Sequence, residues 1–210
     1  MVRIKICGIT RAEDARLAAR LGAWAVGLVF YEESPRNVGK DEARKILRGL
    51  DPHVLKVGVF VNPTPEEVLR CSSAASLDAV QLHGDESPSL CLKIREKRLR
   101  MIKAFRMQGP QDLDVLPEYE EVCDFFLLDS FTQDKRGGTG LVFDWSWAKQ
   151  AIEKTGRPVI VSGGLSSENL ISCIQEVKPY AVDVSSGVET APGIKSAELL
   201  HDLFRQSYST

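Results

Sequence analysis

The sequence predicts an α/β fold, a single (β/α)8 barrel across residues 1–210, on three observations. Eight short apolar runs recur along the chain, and longer stretches with helical spacing separate them. The run starts, from residue 2 to residue 181, are roughly 26 residues apart on average, the length of a strand, a turn and a helix. Eight such units in alternation are the number that closes the barrel.

In chain order, "VRIKIC" (2–7) is the first strand, and "EDARLAARLGA" follows with Ala15, Leu17, Ala18 and Leu21 on one helical stripe. Thr10 and Glu13 have capping-box spacing at its start. "AVGLVF" (25–30) leads to the helix "DEARKILRGL". "VLKVGVFV" (54–61) leads to Thr64-Pro65-Glu66-Glu67, which offers an N-cap, a proline at the first helical position and a capping-box glutamate. "DAVQLH" (78–83) precedes a second cap-and-proline start at Ser87-Pro88. "RMIKAF" (100–105) is followed by "QDLDVLPEYEEV", where Pro117 cuts the helical pattern short. "FFLLDS" (125–130), "PVIVSGG" (158–164) and "AVDVSSG" (181–187) complete the set. An open doubly wound sheet would need two protected edge strands, and no run carries the charge or proline that protects an edge.

Composition narrows the function. The formal charge is −2, from 27 basic and 29 acidic residues, so no nucleic-acid partner is expected. No apolar run approaches the roughly 18 residues needed to span a bilayer, so no membrane partner is expected. Arg3 and Lys5 interrupt the apolar N-terminus, which argues against a secretory leader. The five cysteines (Cys7, Cys71, Cys91, Cys123 and Cys173) show no CxxC spacing, which fits a reducing cytoplasm and neither a zinc cage nor a disulfide framework.

In such a barrel the chemistry belongs at the C-terminal strand ends. The reactive side chains there are Cys7, Gln81, His83, Asp129 and Asp183. Strand alternation puts Cys7 on one face with Arg3 and Lys5, while Val2, Ile4 and Ile6 take the other. Gln81 and His83 share parity, as do Leu127 and Asp129; Lys103 is a further candidate for the interior. After the seventh strand, "SGGLSSEN" places Gly163 and Gly164 just before a helix; after the eighth, "VSSGVE" supplies Ser185, Ser186 and Gly187. Small polar loops in these two places are where this fold holds phosphate, because backbone N–H groups can approach an anion closely. "FTQDKRGGTGLVFDW" has the composition of a mobile cationic lid, and Arg36 of "SPRNV" could clamp a carboxylate.

Together, "KICGITR", "SPRNV", "GVFVN", "QLHGDE", "LLDS", "GGTG", "FDW", "SGGL", Asn169, "VDVSSGVE" and "PGIK" resemble the phosphoribosylanthranilate isomerases, in the family's order over nearly the full chain. The resemblance implies a barrel without metal or organic cofactor and a phosphorylated small-molecule substrate. The implied reaction is the Amadori rearrangement of N-(5-phosphoribosyl)anthranilate to 1-(2-carboxyphenylamino)-1-deoxyribulose 5-phosphate. It assigns Cys7 as general base, Asp129 as general acid, Arg36 to the anthranilate carboxylate, and the loops at 163–164 and 185–187 to the phosphate. His83, Gln81 and Asp183 are expected near the substrate, Asp183 either orienting Cys7 or binding the anthranilate amine. Lys5 on the same face, and the positive end of the helix near Thr10, would favour the Cys7 thiolate. Monomer and homodimer both suit the fold. Three alternatives stay open at this point. They are a Schiff-base lyase using Lys5, Lys56 or Lys103, a sister isomerase of histidine biosynthesis built on two aspartates, and a non-catalytic barrel that binds a phosphorylated ligand.

Overall fold

A computed structural model describes residues 2–95, 99–130 and 144–208. Eight parallel strands close on themselves: β1 (Arg3–Ile6), β2 (Ala25–Phe30), β3 (Leu55–Phe60), β4 (Ala79–Leu82), β5 (Arg100–Met107), β6 (Phe125–Ser130), β7 (Val159–Val161) and β8 (Ala181–Val184). The seam is the β1–β8 pairing, with Lys5 opposite Asp183 and Ile6 opposite Val184. Helices α1 (Ala12–Arg20), α2 (Lys40–Leu47), α3 (Pro65–Ala75), α4 (Pro88–Arg95), α5 (Trp145–Lys154), α6 (Leu170–Val177) and α7 (Ala197–Ser207) cover the outside. After β8 a short hairpin is added, β9 (Glu189–Ala191) against β10 (Ile194–Lys195). Among the described residues no helix is long and apolar enough to cross a membrane.

Local signals explain most starts. Thr64 accepts from the Glu67 N–H, and Glu67 accepts from the Thr64 N–H, so the predicted capping box at α3 forms. The box expected at Thr10 and Glu13 does not. The helix begins at Ala12 with Arg11 at the cap position, and the Thr10 hydroxyl donates instead to the Gly193 carbonyl at 2.5 Å. A tertiary partner on the late hairpin has outcompeted the local one. Between β5 and β6 the chain makes a 3₁₀ segment, Pro110–Tyr119. Asp112 accepts from the Gln108 and Gly109 N–H groups and holds its start, and Pro117, which has no N–H, sits inside it.

Alternation divides the apolar residues into two cores. Ile4, Ile6, Val26, Leu28 and Phe126 face the helices. Val57, Ala79, Ala104, Leu127 and Ile160 fill the barrel interior. At the N-terminal end Trp24, Phe125 and Tyr180 meet with ring centroids 5.4–5.8 Å apart, and the Arg3 guanidinium lies 4.3 Å over Tyr180. This aromatic floor leaves the C-terminal end as the place for chemistry.

Candidate active site

Cys7 lies one residue beyond β1, and its N–H donates to the Val184 carbonyl at 2.9 Å. Gly8 then turns with φ +73°, and a Cβ there would run into the Arg36 side chain. Room for the thiol comes from Gly27 on β2: a Cβ at that position would stand 2.8 Å from Cys7 Sγ and 3.3 Å from Lys5 Cε. Gly27→Ala is therefore expected to destabilise the fold by about 1–3 kcal/mol through overpacking and to lower kcat by displacing the thiol. Denaturant unfolding measured beside turnover checks both.

Below the thiol sits a buried ion pair. Lys5 Nζ lies 2.9 Å from Asp183 Oδ2, and both side chains are closed to solvent. Burial opposes the Lys5 ammonium, but Asp183 and then Cys7 outweigh it, so the lysine titrates above its ordinary value. Asp183 Oδ1 is buried with no hydrogen-bond partner among the described residues. Burial pushes the Cys7 thiol up, Asp183 adds to that, and the pull of Lys5 and Lys195 does not cancel it. The expected cation is thus in place, yet desolvation prevails. The helix end near Thr10 starts later than the sequence suggested, with α1 beginning at Ala12.

Across the barrel, Gln81, His83 and Asp129 form a chain of hydrogen bonds. Gln81 Nε2 donates to His83 Nδ1 at 2.8 Å. With that nitrogen as acceptor, the neutral ring carries its proton on Nε2, which faces Asp129 Oδ2 at 3.1 Å. Asp129 Oδ1 accepts from the Ser130 N–H at 2.9 Å. Gln81 Oε1 is a second buried oxygen without a partner among the described residues.

Lys103 does not point inward. Its neighbours Ile102 and Ala104 take the barrel interior, and its ammonium pairs outside with Glu86 at 3.1 Å and with the Gly84 and Ala104 carbonyls. One position of strand parity accounts for the difference. Lys56 stands near the N-terminal end of β3, 3.9 Å from Asp78. Of the three lysines considered as nucleophiles, only Lys5 lies inside the barrel, bound to Asp183.

Arg36 is set by the turn that holds it. Asn37 N–H donates to the Ser34 carbonyl, Arg36 N–H to Ser34 Oγ, and Tyr31 N–H to Asn37 Oδ1. The guanidinium meets Glu189, with Nε 2.9 Å from Oε1 and Nη2 2.6 Å from Oε2. Lys195, buried, donates to the carbonyls of Cys7 (2.5 Å) and Ser185 (3.1 Å) and to Glu189 Oε1 (2.7 Å). Sequence reasoning singled out neither Glu189 nor Lys195. Both lie inside the motifs "VDVSSGVE" and "PGIK", but their hairpin follows the eighth strand, outside the repeating strand–helix unit.

The two small loops lie together. Gly163 (φ +87°) packs so closely on Ser130 that a Cβ would come 2.6 Å from its nitrogen, and Gly164 also has positive φ (+65°). Asn169 fixes the loop by donating to the Gly164 carbonyl and accepting from the Ser166 N–H. Gly187 packs against the Leu165 carbonyl, where a Cβ would overlap it. Ser185 Oγ donates to the Cys7 carbonyl at 3.2 Å, which uses that hydroxyl's one proton. The lid expected within 131–143 lies outside the described residues.

A family model described as N-(5'-phosphoribosyl)anthranilate (PRA) isomerase matches residues 4–206. The chain belongs to this family. A curated relative from Rubrobacter xylanophilus, an N-(5'-phosphoribosyl)anthranilate isomerase, is 49% identical over 95% of this chain and 96% of its own. One from Trichlorobacter lovleyi is 44% identical over 99% and 98%. Among solved structures, the phosphoribosyl anthranilate isomerase from Thermotoga maritima is 42% identical, with TM-score 0.92 and full coverage of both chains. A further structure of the family, 41% identical with TM-score 0.88 and full coverage of both chains, holds reduced 1-(o-carboxyphenylamino)-1-deoxyribulose 5-phosphate. The family is one of isomerases of tryptophan biosynthesis, so the histidine-pathway sister, the lysine lyase and the non-catalytic barrel are set aside.

Proposed function

We propose that this chain performs the family's Amadori rearrangement of N-(5-phosphoribosyl)anthranilate with Cys7 as general base and Asp129 as general acid. The observation that carries the assignment is the position of both at the C-terminal end of the barrel strands on inward-facing parity, Cys7 in the gap kept by Gly27 and Asp129 in the hydrogen-bond chain with His83. Asp129 protonates the furanose ring oxygen, the C1–O bond breaks, and a protonated Schiff base forms between C1 and the anthranilate nitrogen. Cys7 as thiolate takes the C2 proton. The electron pair moves into C1=C2, and the nitrogen becomes an amine. The enolamine then gains a proton at C1 and loses the hydroxyl proton at C2 to give the ketone.

Each remaining residue has a part in this scheme. The N–H groups of Gly163, Gly164, Ser186 and Gly187, which make no hydrogen bond within the chain among the described residues, would receive the phosphate. Arg36 would receive the anthranilate carboxylate. The buried free oxygen of Asp183 would accept from the anthranilate N–H, and Gln81 and His83 would hold Asp129 in place. The five cysteines without CxxC spacing support a cytoplasmic place for the enzyme, and the fold suits a monomer or a homodimer; a dimeric form is known for the Thermotoga maritima relative.

Turnover in D2O tests the scheme. Loss of fluorescence of the aminobenzoate substrate, generated in situ, should accompany appearance of one deuterium at C1 of the product. Labelling of C1 by Cys7→Ala at the wild-type rate would overturn the assignment of Cys7.

A further inference from the structure

Beside Cys7, two cations and one carboxylate meet, Lys195 buried and Arg36 and Glu189 partly buried. The β9–β10 hairpin supplies Glu189 and Lys195, and the loop after β2 supplies Arg36. Lys195 has three N–H groups and three acceptors: the carbonyls of Cys7 and Ser185, and Glu189 Oε1. None is left for a ligand. Arg36 differs, because Glu189 takes only its Nε and one Nη2 hydrogen. The opposite edge, Nη1 with the second Nη2 hydrogen, retains the fork geometry that matches a carboxylate. One positive charge is also left uncompensated within the triad, since the adjacent Lys5–Asp183 pair balances itself.

We infer that Glu189 is a specificity-determining positioning residue: by occupying one edge of Arg36 and one of two positive charges, it makes the site fit a single aryl carboxylate rather than a phosphate. Lys195 ties this receptor to the Cys7 peptide, so that recognition of the ring end and placement of the thiol are coupled. The inference rests on the reading of Arg36 as the carboxylate binder. The substrate carries an anion at each end, and an unpartnered Arg36 beside Lys195 would present two charges and two open edges. That surface suits a phosphate dianion and would invite the substrate to bind reversed. Glu189 is suited to its part in ionised form: burial alone would raise its carboxyl, but Arg36 and Lys195 hold it below the ordinary range.

The test is a double-mutant cycle on the full chain with Glu189→Gln, Arg36→Met and the double variant. Its probes are the reduced product analogue, its aniline counterpart lacking the ring carboxylate, and inorganic phosphate as competitor. Glu189→Gln is expected to shrink the preference for the carboxylate analogue over its aniline counterpart by about 10-fold and to strengthen inhibition by phosphate. In the Arg36→Met background the same substitution should have almost no effect. Equal weakening of both analogues, or an unchanged effect in that background, would reduce Glu189 to a structural part and overturn the inference. If Arg36→Met itself leaves the carboxylate analogue unaffected, the reading of Arg36 fails separately and takes the inference with it. Should Glu189→Gln fail to fold by thermal unfolding, Glu189→Asp, which keeps the charge on a shorter stem, enters the same cycle and is judged by its coupling to Arg36.

Discussion

Cys7→Ala is expected to lower kcat by about 10²–10⁴-fold, the range of a lost general base, while the barrel stays folded. The thiol is small and sits at the edge of the inner core, so its removal leaves a minor void. Its peptide stays anchored by Val184 and Lys195. Affinity for the reduced product analogue should stay within about threefold, because the proposed anion contacts lie elsewhere. A variant that turns over near-normally would remove Cys7 from the mechanism. The pH profile gives a second check. Burial and Asp183 hold the thiol above its ordinary value, so the rising limb of kcat/KM in the free enzyme should lie above about pH 8.5. Stability follows the same linkage. The unfolded thiol ionises first, so the contribution of Cys7 is full below the ordinary thiol range and is lost as pH climbs through the raised folded value. Denaturant unfolding of wild type and Cys7→Ala should therefore converge at high pH.

Asp129→Asn should be comparably damaging, with kcat lower by about 10²–10⁴-fold, because a carboxamide cannot deliver the proton that opens the furanose. The substitution keeps the shape of the side chain and an acceptor for the Ser130 N–H. Its amide nitrogen would meet a ring nitrogen of His83 that already carries a proton, so His83 must change tautomer or the amide must rotate. A pre-opened analogue that no longer needs ring protonation separates the roles: it should be processed far better than the natural substrate by Asp129→Asn, yet remain inert to Cys7→Ala. Equal loss on both substrates in the aspartate variant would place Asp129 outside the ring-opening step.

Most of the barrel was legible because its periodicity is local. The runs 25–30 and 125–130 became β2 and β6 without adjustment, and Thr64-Pro65-Glu66-Glu67 specified the start of α3 within one turn. Placement of Cys7, Gln81, His83, Asp129 and Asp183 at one end followed from their positions at the C-terminal ends of their strands, and alternation added the face. What escaped depended on distant partners. Thr10 abandoned its local cap for a carbonyl 183 residues away, and Lys103 fell on the outer face because the parity of β5 is set by its neighbours in the barrel. Glu189 and Lys195 belong to no repeating unit, and only the folded hairpin shows that Glu189 meets both Arg36 and Lys195.

The span of these contacts bears on synthesis. The carbonyl of Cys7 is held by a side chain 188 residues later, and Lys5 finds its counter-ion 178 residues later. A nascent chain leaving the ribosome can assemble successive strand–helix units while its first strand still carries an unmatched ammonium. Activity should consequently arise in a single late step, when the hairpin emerges and docks, and truncations that stop before it should yield inactive protein however many units they contain.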